Sequence, residues 1–190
     1  MRNSLLLVIS LVFLASAALF SHAQSNAPSD LRYTAEGRML RPANYREWVY
    51  LSSGLGMSYS PQARESANPP FDNVFVTPAA YRAFLQTGTW PDKTAFVLEV
   101  RAAQSKGSIN QQGHFQGEVL GLDVHVKDES RFPGKWAFFN FQPSDSSAAM
   151  IPVSRDCYSC HQQHGAVDTT FVQFYPTLLP IAREKKTLKQ

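Results

Sequence analysis

The run Thr94-Ala95-Phe96-Val97-Leu98-Glu99-Val100-Arg101-Ala102 alternates between two faces. Phe96, Leu98, Val100 and Ala102 fall on one, and Ala95, Val97, Glu99 and Arg101 on the other. A repeat of two belongs to a strand, because successive side chains of extended backbone point to opposite sides. Glu118 to Val126 repeats it, with Leu120, Leu122, Val124 and Val126 opposite Val119, Gly121, Asp123 and His125. Lys135 to Gln142 runs through Trp136, Phe138, Phe139 and Phe141 as a third strand. The connections are too short for crossover helices, so the three predict an antiparallel sheet.

Helical signals around this sheet are sparse, and the expected class is mainly β (α+β), with a few short helices. Leu40 to Leu51 suits a short helix, with Tyr45, Trp48, Val49 and Leu51 near one face. Ser52 to Pro70 reads as a long loop that could cover a cofactor. Val74 to Val76 is a short strand, and Thr77-Pro78 opens a helix with a capping hydroxyl, ended by Gly88. Ser144 to Ser154 is loop with a helical turn over Ala148 to Ile151. Asp168 caps a last helix over Thr169 to Tyr175, closed by Pro176 and Pro180.

The first residues read as an export signal. Arg2 precedes an apolar run from Leu5 to Phe20, and Ser21-His22-Ala23 offers a small-x-small cleavage site. Residues 1–23 are then a secretory signal peptide and residues 24–190 one domain, soluble and addressed to the periplasm. Gln24 to Asp30 is a polar lead, and Arg183 to Lys189 a solvated tail. A formal charge of +3, with no basic block interleaved with aromatics, argues against nucleic acid.

The two cysteines of the chain lie in Cys157-Tyr158-Ser159-Cys160-His161. This C-x-x-C-H pattern is that of c-type haem attachment. Two thiols at that spacing can each form a thioether to the porphyrin edge, and His161 can supply an axial nitrogen. Rival readings account for less. A thioredoxin-like pair wants a βαβ setting, and a zinc site needs four ligands where only His161 and His164 are near. A short disulfide leaves His161 unexplained. For the opposite face of the iron the candidates are Met39, Met57, Met150, His114, His125 and His164. Met57, in a Gly-Ser loop, is the most credible sixth ligand, and His125 reads as a surface sheet histidine. An open position is favoured. Asp123 stands mid-strand among apolar neighbours and faces either solvent or the haem pocket. Arg46 and Arg101 could pair with the propionates.

Several stretches in order resemble the cytochrome P-460 family, which includes the cytochromes c′-beta. They are Asn44 to Val49, the Gly-rich loop after it, Tyr81 to Gly88, Gly121-Leu122-Asp123, Trp136-Ala137-Phe138, Cys157 to His161 and Phe174-Tyr175-Pro176. The resemblance implies a mostly antiparallel β fold, usually a homodimer, carrying one five-coordinate haem c. It puts the thioethers on Cys157 and Cys160 and the axial nitrogen on His161. The position of the haem-cross-linking lysine of hydroxylamine-oxidising members falls on Leu98, and their distal carboxylate on Asp123. Lys93 lies before the strand and is a poor substitute for that lysine. Members without the lysine resemble cytochrome c′-beta, which binds nitric oxide in an apolar pocket; Leu98 and Phe96 suit such a wall. Three functions follow as expectations. The first is a haem c protein binding nitric oxide or a related small nitrogen species. The second is a hydroxylamine-oxidising enzyme with Asp123 as proton acceptor, passing electrons to a small cytochrome. The third is a six-coordinate electron carrier.

Overall fold

The computed structural model describes residues 31–59 and 67–189. The expected signal peptide and polar lead lie outside the described residues, as does the middle of the expected loop, residues 60–66. The fold is mainly β. One sheet contains β2 (Val49–Leu55), β3 (Phe71–Val76), β4 (Ala95–Gln104), β5 (Phe115–Lys127) and β6 (Trp136–Phe141), in chain order. Every neighbouring pair is antiparallel. A two-stranded ribbon pairs β1 (Met39–Leu40) with β7 (Ser147–Ala148). Among the described residues the α-helices are α1 (Pro78–Thr87), α2 (Asp156–His164) and α3 (Leu179–Glu184).

Both faces of the sheet are covered, which is why apolar side chains stand on both sides of β4 and β5. Ala95, Val97, Leu122, Val124 and Phe139 pack with Met39, Tyr45 and Trp48 on one face. On the other, Val76, Phe96 and Trp136 pack with Phe84 of α1, Trp90, Val172, Tyr175, Leu178 and Ala182. The second face carries the site. Near its free end it is covered by α2 and the segment after it.

Five local expectations are corrected. The stretch Leu40–Leu51 is not one helix: Tyr45–Glu47 is a single 3-10 turn, and Val49 already begins β2. Tyr45 and Trp48 are three apart and both buried, a spacing that one turn satisfies as well as a helix does. Val49 and Tyr50 then pair with Val76 and Phe75 of β3. The helical turn over Ala148–Ile151 is replaced by β7, and Met150 bridges Phe139. Thr169–Tyr175 holds only a 3-10 turn at Val172–Phe174. Asp168 adopts a left-handed φ of 56° and gives its carboxylate to Lys127, so it caps nothing. Pro180 sits in the first turn of α3, where proline lacks only an N–H that would go unbonded anyway, and so starts a helix it was expected to end.

The C-terminal tail is docked. Thr187 Oγ1 donates to Gly88 O at 2.7 Å, and the Lys189 amide donates to Ala166 O at 2.7 Å. Thr77 does cap α1 by position, but its hydroxyl is buried with no bond. Gly88 ends α1 with φ 71°, and a Cβ there would lie 2.7 Å from Lys185 Cβ. Gly88→Ala therefore combines a left-handed penalty with a clash against the tail. We expect a loss of about 2 kcal/mol in chemical denaturation; an unchanged midpoint would mean that the tail yields without cost.

Candidate functional site

The site begins with helix α2. Cys157 and Cys160 are one turn apart on it, both free thiols and both half-buried. A spacing of three on a helix brings the two sulfurs to one face. That face closes a cavity of about 380 Å³ against the sheet. Register fixes the opposite wall. Leu98 pairs with Asp123 and Phe96 with His125, so all four point to the same side. Val74 pairs with Leu98, and Phe138 with His125, extending the wall both ways. Phe171, Phe174 and Tyr175, after α2, close the side.

His161 follows Cys160 and lines the same cavity. Its Nδ1 lies 2.7 Å from Thr169 O, an acceptor that can only receive the Nδ1 proton. The tautomer is thereby set, and Nε2 is left as the lone-pair nitrogen, as a metal-binding histidine requires. Burial pushes His161 below its usual value, against the opposing pull of the Thr169 bond and of Asp123. A neutral imidazole is the form that binds a metal. Gly165 makes this geometry possible. A Cβ on it would meet His161 O at 2.6 Å and the Thr169 carbonyl carbon at 2.9 Å, so the chain can fold back under His161 only without one.

His125, expected at the surface, is buried. Its ring stacks on Phe138 at 4.0 Å and touches the His161 ring edge to face at 4.9 Å. Burial, aided by neighbouring His161, holds it well below its usual value and so neutral. With the two imidazoles in contact, no space remains between them for an iron and a porphyrin. Met57 reaches the cavity rim, but its thioether packs on the backbone at Gly54. His114 and His164 are exposed.

Asp123 faces the cavity and not open solvent. Asn140 Nδ2 donates to it at 2.7 Å, yet burial outweighs that bond and raises the carboxyl above its ordinary range. A second acid shares the wall. Asp72 lies on β3 and is raised by burial and by the like charge of Asp123. Sequence reasoning did not single it out, although the repeat of two in β3 aligns it with Val74 and Val76. Arg46 and Arg101 are elsewhere. Both serve Glu99 on the other sheet face, Arg101 Nε at 2.9 Å and Arg46 together with the Tyr45 hydroxyl. The structure thus gives neither arginine a place on the cavity wall.

Two thiols, a pre-oriented neutral imidazole and an aromatic-walled cavity together fit a porphyrin better than a bare ion. Among the described residues no three His, Cys, Asp or Glu side chains gather as a metal cluster. The fold and the site are those of a haem-binding cytochrome built on an antiparallel sheet. The family model for Cytochrome P460 matches residues 42–172, and the chain belongs to that family. None of the curated proteins matches it.

Gly165→Ala should push Thr169 away from His161. The expected result is a loss of about 2 kcal/mol of stability with reduced haem content in the purified protein. Wild-type haem content and stability together would show that the turn can relax around a methyl group.

Proposed function

We propose that this protein is a periplasmic c-type cytochrome that keeps one iron position open for nitric oxide or a related small nitrogen species. Cys157 and Cys160 would hold the haem through thioethers, and His161 Nε2 would supply the nitrogen to its iron. Bound there, the haem supplies a coordination position for the ligand. One observation carries the reading: among the described residues, nothing on the wall is poised as a second strong ligand. His125 is packed against His161, and the Met57 sulfur rests on Gly54. The apolar part of the wall, Val74, Phe96, Leu98 and Phe138, suits a small uncharged ligand. A periplasmic address and a homodimer belong to the same proposal, on the export signal and the family resemblance.

A second reading is favoured by Asp123. A carboxyl that burial holds above its ordinary range is a better proton acceptor than a free one. Hydroxylamine carries such protons and nitric oxide does not. In this reading Asp123 takes the proton while a small cytochrome accepts the electrons. Leu98, where a lysine would cross-link the porphyrin, offers no nucleophile for that bond.

A visible spectrum of the ferric protein tests the first reading. We expect a high-spin, five-coordinate haem that takes up nitric oxide; a low-spin, six-coordinate spectrum would sink it. Steady-state assays with hydroxylamine and an oxidant separate the second. Sustained turnover, rising with pH as Asp123 loses its proton and lost in Asp123→Ala, supports the enzyme. Stoichiometric binding without turnover leaves the ligand-binding reading in place.

A further inference from the structure

Lys127 is almost fully buried, with 9 % of its surface exposed. A buried lysine is rare unless its charge is paired, so what it holds is informative. Its Nζ donates to Trp90 O at 2.8 Å and to Asp168 Oδ2 at 3.0 Å, and stands 5.7 Å from the centre of the Trp136 ring. Glu129 is a more distant partner at 3.9 Å.

Asp168 belongs to the turn Val167–Thr170, which carries the acceptor of the proximal histidine. It sits at φ 56°, a left-handed region that aspartate enters more readily than most residues but still at a cost that contacts can offset. The next residue, Thr169, faces both imidazoles: its carbonyl accepts from His161 Nδ1, and its hydroxyl lies 3.4 Å from His125 Nε2. Thr170 fastens the far side, accepting from Trp90 Nε1 at 2.8 Å and donating to Val167 O at 2.7 Å. His125 and Lys127 are two apart on β5, on one face, and they grip two consecutive residues of this turn.

We propose that Lys127, through Asp168, is a positioning residue for the axial histidine. The ion pair holds the turn in its left-handed form, the turn aims the Thr169 carbonyl at His161 Nδ1, and that bond sets the ring's orientation and its electron donation through Nε2. A strong acceptor at Nδ1 makes an imidazole a better donor to a metal. The inference rests on His161 being the iron ligand, as proposed above.

The test is resonance Raman spectroscopy of the ferrous haem-loaded protein, with the reduction potential as a second readout. Wild type should show an iron–histidine stretching band. Lys127→Met should shift it to lower frequency and raise the potential, because a mis-aimed carbonyl weakens donation from His161. Asp168→Asn keeps a residue that tolerates the left-handed region, removes the charge and should produce a smaller shift the same way. It decides the matter if Lys127→Met does not fold. A band and potential at wild-type values in Asp168→Asn and in any folded Lys127→Met would overturn the proposal, even if both variants melt earlier. A wild-type protein with no iron–histidine band would instead refute His161 as ligand, a separate failure.

Discussion

The pairing of β4 with β5 is the constraint on which everything else depends. Leu98 opposite Asp123 and Phe96 opposite His125 send four side chains into the cavity. The same register sends Ala95, Val97, Leu122, Val124 and Val126 into the core on the other face. A slip of β5 by one residue would bring Leu122 and Val124 to the cavity and push Asp123 into a hydrophobic core. Because burying an unpaired carboxylate costs several kcal/mol, the hydrophobic face and the acid enforce one register together. The bulges between Val100 and Ala103 fall beyond the cavity, where the strands can twist without moving the site.

How far the sequence is legible follows from which interactions are local. A repeat of two over nine residues is written in the chain, so β4, β5 and β6 and their antiparallel order can be read from it. The C-x-x-C-H spacing is equally local. What covers each face is not. His125 looks like a surface histidine beside Asp123 because its cover, Phe138 and the segment after α2, comes from elsewhere. Arg46 looks free for a propionate because Glu99, fifty-three positions away, is not visible as its partner. Val49–Leu55 was expected to be part helix and part loop because the partner that makes it a strand, β3, lies past a long connection. The docked tail was missed for the same reason: Thr187 is fastened to Gly88 by a single hydroxyl.

His161, the proposed axial ligand, is held from three directions. Helix α2 sets its position, Gly165 lets the chain return beneath it, and β5 anchors that return through His125 and Lys127. Metal-binding histidines depend on such outer contacts for orientation; for His161 the contact comes from Thr169, in a turn that the sheet anchors. The C-x-x-C-H motif alone reports none of this, because the anchoring strand lies some thirty residues earlier.

The acids of this chain separate by what their environments do. Asp128 is pushed up by burial, but bonds from Lys93 and Ser130 outweigh this and leave it below its ordinary range. A lowered carboxyl stabilises the fold above its unfolded pKa, and that contribution is lost as pH falls through the folded one. Asp72 and Asp123 have the opposite sign. Both are raised by burial, so the folded chain binds their protons more tightly than the unfolded chain does. They cost stability once the pH passes the ordinary carboxylate value, and the full cost is present above the raised one. Asp128 is an acid that the fold uses. Asp72 and Asp123 are acids that the fold tolerates at a cost near neutral pH, in the one cavity where two thiols and a neutral imidazole meet. Both are raised chiefly by desolvation, and that separates these two from the carboxylates that merely hold the structure.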